Sequence, residues 1–108
     1  MTLSFRGAYA EKILKGEKTM TRRLRKPLVK PNKTYTLRVG RRSIPGEIKI
    51  KEIYCQRLGD MDDEDLVKEG FATFEDFKKD WIEIYRFWDE DTIVWVVEFE
   101  YLPKGYGA

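Results

Sequence analysis

The stretch from Thr92 to Leu102 constrains the fold most. It is β-branched and aromatic, with Ile93, Trp95, Val97, Phe99 and Tyr101 on one face and Thr92, Val94, Val96, Glu98 and Glu100 on the other. A strand of this length needs partners for its backbone N–H and C=O groups. Thr34 to Val39 alternates as a strand, Gly40 to Gly46 reads as a turn, and Glu47 to Arg57 is the next strand. Lys18 to Leu24 reads as a further extended segment, with Thr21 and Arg23 sharing a face. Pro27, Pro31 and Asn32 make the stretch after it a loop, basic and expected to be mobile.

Helices fill the gaps. Phe5, Tyr9, Ile13 and Leu14 recur at helical spacing before Gly16, predicting a helix over 6–15. Asp60, Asp62, Asp63, Glu64 and Asp65 load acid onto the start of a short helix over 62–69 that Gly70 closes. Thr73 and Asp76 form a cap for a third helix over 74–85, carrying Phe77, Trp81, Ile84 and Tyr85. The order suits an α+β fold, a small mixed β-barrel with peripheral helices. With 108 residues the chain suits one domain over 1–108, with a flexible tail over 103–108.

Composition narrows the chemistry. There is no histidine, so lysine, carboxylate, hydroxyl or arginine must do any acid–base work, and serine–histidine and zinc-hydrolase mechanisms are excluded. No metal and no cofactor are expected. Cys55 is the sole cysteine, which rules out an internal disulfide, and its place in an apolar strand suggests a small core residue. No run approaches the roughly 18 apolar residues of a membrane span and no signal-peptide pattern opens the chain, so a cytoplasmic location without a membrane partner is expected; a monomer is expected as well. Abundant Lys, Arg and Glu beside only Asn32 and Gln56 as amides suggest a thermophilic source.

Charge is unevenly divided. Residues 1–59 hold 16 Lys and Arg against 4 Asp and Glu, while residues 60–108 hold 5 against 15. A basic face for a polyanion is the favoured reading; mutual neutralisation of the two halves is the plainer one. Within the basic half, Gly16, Lys18, Thr21 and Arg23 place a turn, an ammonium, a hydroxyl and a guanidinium close together, a set suited to an anion or a polarised carbonyl. A glycine-capped helix followed by a solvated, threonine-rich basic strand would look the same.

The pattern Gly-x-Lys-x-x-Thr-x-Arg, directly after Ala10-x-x-Ile13-x-x-Gly16, resembles the ASCH domain, a relative of the PUA RNA-binding fold. The similarity continues through Tyr35–Gly40, Leu66–Phe71, the helix carrying Phe77 and Trp81, and Val96–Phe99, covering about residues 5–101. The resemblance implies a small free-standing member, a PUA-like partly open mixed β-barrel with a basic cleft that binds RNA or a modified nucleoside. It also implies two alternatives: an amidohydrolase that deacetylates acetylated cytidine, and a metal-independent ribonuclease on single-stranded RNA. Carried over by position, the catalytic set falls on Lys18, Thr21 and Glu69, with Arg23 as the motif arginine. Thr21 would be the nucleophile, Lys18 its base, and Glu69 would orient Lys18 or activate water. Gly16, Arg22, Arg23, Arg25, Lys26, Arg38 and Arg41 would contact substrate or RNA. The doubled arginine at Arg22 and the basic loop from Arg25 to Lys33 favour a polymer.

Two features have independent readings. Glu69 lies in the last turn of a helix, where a carboxylate meets the negative end of the dipole unless a cation such as Lys18 offsets it. Trp81 and Trp95 are expected to pack, and Trp88, among Asp89, Glu90 and Asp91, to be the exposed tryptophan.

Overall fold

A computed structural model describes residues 2–103. The elements follow as β1 (Thr2–Ser4), α1 (Gly7–Leu14), β2 (Met20–Arg23), β3 (Thr34–Val39), β4 (Arg42–Arg57), a 3-10 turn (Leu58–Asp60), α2 (Asp63–Glu69), α3 (Phe74–Tyr85) and β5 (Ile93–Leu102). The strands form one curled half-barrel sheet in the order β1-β3-β4-β5-β2. β1 lies parallel to β3 and the other pairs are antiparallel.

β5 sits inside the sheet because both of its faces are apolar where they are covered. Val97 and Phe99 join Leu3, Phe5, Ile13 and Leu37 in a core beneath α1. Val94 and Val96 join Met20, Leu66, Phe77 and Trp81 in a second core beneath α2 and α3. Each buried aliphatic side chain of this kind contributes roughly 1.5–3 kcal/mol, so neither face is dispensable. Among the described residues no helix is long and apolar enough to cross a membrane.

The caps explain the helix ends. Asp62 and Asp65 form a reciprocal capping box on α2, Gly70 closes that helix at φ 89°, and Thr73 accepts from the Asp76 N–H to start α3. The turn expected over Gly40–Gly46 is confined to Gly40 and Arg41, since β4 already begins at Arg42. Ile44 pairs with Leu37 and Glu47 with Thr36, which leaves Pro45 and Gly46 as a bulge inside the strand. Proline and glycine there bend the ladder without ending it. A second irregularity, between Ile50 and Glu52, adds to the curl.

Other expectations also shift. The basic loop before β3 is tied down by buried Val29, by the Lys30 N–H to Tyr35 Oη at 2.8 Å and by the Asn32 N–H to the Ile50 carbonyl at 2.8 Å. Cys55 is exposed, not core: it pairs with Trp95 at an end of the sheet where Ile93 is 59% exposed. Trp88 is half-buried, set edge-on to Phe74 and Phe77 at 5.5 and 6.3 Å. Trp95, by contrast, is covered in part by Lys26, 5.1 Å from its ring centre. The tail expected over 103–108 lies, beyond Pro103, outside the described residues.

Candidate functional site

Lys18 is positioned by the backbone on both sides of it. α1 ends at Gly16, whose φ of 76° reverses the chain, and the N–H groups of Glu17 and Lys18 both return to the Lys12 carbonyl. Thr19 is clamped next: its N–H donates to the Lys68 carbonyl at 2.8 Å, and its carbonyl accepts from the Phe99 N–H at 3.0 Å. These bonds hold residue 18 against the C-terminal end of α2. Lys12 adds a third tie, donating to the Gly70 carbonyl at 2.5 Å and lying over the Phe71 ring.

Lys18 and Glu69 are each only 2% exposed. Lys18 Nζ donates to Glu69 Oε1 at 3.0 Å and to the Glu69 carbonyl at 3.1 Å, and it stands 4.7 Å from the Tyr9 ring centre. Glu69 Oε2 accepts from Arg22 at 3.0 Å, so one carboxylate faces two cations and its unfavourable place at a helix C-terminus is offset twice. Arg22 then reaches Asp65 Oδ2 at 3.0 Å and Gln56 Oε1 at 2.5 Å.

The Lys18 ammonium is pushed below its ordinary value of 10.5 chiefly by burial; Glu69 opposes the shift, and Arg23 and Lys12 add to it. Burial likewise lowers Arg23, against the pull of Tyr85 and Glu69. Burial raises the Asp80 carboxyl against Arg6, 3.6 Å away, with Glu83 adding to the rise.

These groups surround a cleft of about 300 Å³ where α1 and α3 meet β2. Lys18, Thr21 and Glu69 line it together with Phe5, Tyr9, Phe77 and Trp81; Ser4, Arg6, Arg22, Arg23, Asp80, Ile84 and Tyr85 complete the lining. Thr21 is 4% exposed. Trp81 keeps a buried indole N–H without a hydrogen-bond partner among the described residues. An apolar, aromatic enclosure with a few convergent polar groups is the usual form of a small-molecule site. Arg23 and Tyr85 also line an open groove that continues past Arg25, Lys26 and Leu28.

The structure therefore brings Lys18, Thr21, Glu69, Arg22 and Arg23 to one place and leaves the other expected contacts outside it. Arg22 differs from its expected part as a phosphate contact: its side chain is 0% exposed and its two terminal nitrogens are spent on acceptors of the fold. Arg23 donates to the Ser4 carbonyl at 2.8 Å and stacks on Phe5, joining the two edge strands of the half-barrel. Gly16 shapes the turn and is exposed. Arg25 and Lys26 line the adjoining groove. Arg38 and Arg41 sit at the β3–β4 hairpin, the first donating to the carbonyl of the second. Part of the charge division is internal: Arg6, Lys18, Arg22 and Arg57 all pair with acids of the second half.

Sequence reasoning missed Asp65 and Gln56 as partners of Arg22. Asp65 carried a signal, since it stands four residues before Glu69 and so shares its helix face. Tyr9 and the α3 aromatics were read as packing, which they also are.

Gly70 makes this geometry possible. A Cβ there would stand 3.2 Å from Lys12 Cδ and 3.4 Å from Lys18 Cβ, on a backbone at φ 89°. Gly70→Ala is expected to cost about 1–2 kcal/mol from the left-handed backbone, which calorimetry will read as a melting point lowered by roughly 4–15 °C.

No family model matches the sequence, and no curated protein is a match. Solved structures do match in fold. A protein from Enterococcus faecalis described under the family DUF984 is 15% identical over 89% of this chain and 71% of its own, with a TM-score of 0.67. An ASCH domain from Lactobacillus crispatus is 14% identical over 87% and 70%, at 0.64. A variant of the ZmASCH protein from Zymomonas mobilis is 18% identical over 97% and 68%, at 0.62. With its half-barrel sheet and three helices, the chain has the PUA-like fold of ASCH domains.

Proposed function

We propose that the cleft receives one modified nucleobase of the acetylated-cytidine kind and hydrolyses its exocyclic amide, with Thr21 as nucleophile and Lys18 as base. The observation that carries this reading is the hydrogen bonding of Lys18. Both acceptors of Nζ belong to Glu69. A neutral lysine amine has two N–H donors and one lone pair. It can therefore keep both bonds to Glu69 and direct the lone pair elsewhere in the cleft, which Thr21 shares. Burial favours that neutral form.

The chemistry balances without a cofactor. As Thr21 Oγ bonds to the acetyl carbonyl carbon, its proton passes to Lys18. The carbon–nitrogen bond then breaks, and the departing amine takes that proton. Water hydrolyses the acetyl ester on Thr21, releasing acetate and restoring the hydroxyl. Phe5, Tyr9 and Trp81 offer stacking and apolar surface to the base. The size of the cleft, about 300 Å³, suits a single base.

A second reading, that the base is delivered as part of RNA, is favoured by the groove through Arg25 and Lys26 that joins the cleft at Arg23. One experiment separates the possibilities. The protein and its Thr21→Val variant are incubated with acetylated cytidine and with single-stranded RNA, some of it acetylated. Acetate release that falls at least about 10²-fold in the variant is the expected result. Strand scission without acetate release replaces the hydrolase with a ribonuclease; salt-sensitive binding without turnover leaves a binding protein.

A further inference from the structure

Arg22 is the most deeply buried charge that the proposed reaction does not use. Its side chain is 0% exposed. One terminal nitrogen donates to Glu69 Oε2 and lies 3.0 Å from Met20 Sδ, while the other donates to Asp65 Oδ2 and Gln56 Oε1. Nε has no partner among the described residues. The four side chains form an alternating row, Lys18, Glu69, Arg22 and Asp65, whose side chains are 1%, 3%, 0% and 13% exposed. Such a row is a poor device for stability alone, because apolar side chains of the same volume commonly do as well or better.

Its value lies in what happens when Lys18 gives up a proton. With Lys18 and Glu69 alone, deprotonation would strand a carboxylate in an apolar cleft, so each would hold the other charged. A second, permanently charged cation removes that constraint, and arginine does not deprotonate in proteins. We propose that Arg22 is a positioning residue, fixed by Asp65 and Gln56, which compensates the Glu69 carboxylate in both states of Lys18 and so frees Lys18 to act as a base. The inference rests on the reading of Lys18 as base and adds a means of setting where it titrates.

The groups facing Lys18 come from every neighbouring element: Lys12 and Tyr9 from α1, Arg23 from β2, Glu69 from α2, and Asp80 and Tyr85 across the cleft from α3. Arg22 acts on Lys18 through Glu69. Loss of Arg22 therefore makes Glu69 lean wholly on Lys18 and raises the Lys18 pKa. Loss of the Asp65 charge frees Arg22 to face Glu69 alone and lowers it. General loosening of the fold would instead admit water and move Lys18 toward 10.5 in both variants.

The test is a titration of Lys18 in the full chain by carbon-13 NMR of labelled lysine side chains, with acetate release followed over the same pH range. In Arg22→Met the midpoint is expected to rise by about one unit or more, in Arg22→Lys to return most of the way, and in Asp65→Asn to fall. The rising limb of activity should follow each change. Midpoints that stay put, or that move up in Asp65→Asn as well as in Arg22→Met, overturn the assignment of Arg22. Should the midpoints move in opposite senses while no variant nor the parent releases acetate, the role of Arg22 stands and the hydrolase reading falls.

Discussion

Glu69→Gln is expected to lower stability by about 3–5 kcal/mol, the cost of leaving buried charge without its partner. The side chain keeps its size but loses its charge, and two cations lose it at once: Lys18 at 3.0 Å and Arg22 at 3.0 Å. Arg22 still has Asp65; Lys18 has no other carboxylate within salt-bridge range among the described residues. Against a total of roughly 5–15 kcal/mol for a domain, the loss is large, and urea unfolding will show it as a lowered midpoint. The effect should depend on pH. Lys18 already lies below 10.5 through burial, and Glu69 supplies the influences that raise it, so the variant widens the gap between folded and unfolded chain. Between those values the unfolded chain binds a proton that the folded chain does not. The penalty is therefore full below the variant's folded value, shrinks as pH rises to the parent's folded value, and is constant above it. A loss below about 1 kcal/mol at neutral pH, unchanged up to pH 10, would show that the pair carries no such energy.

Much of this arrangement was legible before any coordinates. β3 and α3 fall where their patterns predict because local signals agree there: strict alternation over Thr34–Val39, and a Thr73–Asp76 cap before helically spaced aromatics. Lys18 and Thr21 stood out by residue type and Glu69 by its place at a helix end; that the three act as one set was reachable only through the resemblance. Residues 18 and 69 are far apart in sequence, and what joins them is the clamp on Thr19 between α2 and β5, a tertiary fact without local signature.

The misreadings have physical causes too. Pro45 and Gly46 signal a turn by composition, yet the strand absorbs them as a bulge. Trp88 is flanked by acids, but its ring packs on Phe74 and Phe77. Arg22 looked like one more surface cation of a basic run. Strand period held the correction, since Arg22 shares a face with Met20, a residue 0% exposed in the second core. The comparison structures agree at only 14–18% identity, so they speak for the half-barrel and its helices and leave the residues of the cleft to be argued from their own contacts.

Lys18→Met should separate function from stability in the opposite sense to Glu69→Gln. Acetate release is expected to fall by about 10²–10⁴-fold, the usual contribution of a general base. Stability should change by no more than about 1 kcal/mol. The variant removes a desolvated ammonium and replaces it with an unbranched apolar side chain of similar length, which adapts readily to such a space. Glu69 is not stranded, because Arg22 still donates to Oε2 at 3.0 Å. What is lost is the contact with Tyr9, 4.7 Å from Nζ, worth about 0.5–2 kcal/mol, and the hydrogen bonds to Glu69 Oε1 and to its carbonyl; the desolvation of Lys18 that they offset disappears with them. One carboxylate serves two cations, so deleting the carboxylate harms both, whereas deleting one cation leaves the other pair intact. Measured side by side, the two variants test that asymmetry. Equal losses of stability would make Lys18 a structural cation; full activity in Lys18→Met would remove it from the reaction and leave Thr21 in need of another base.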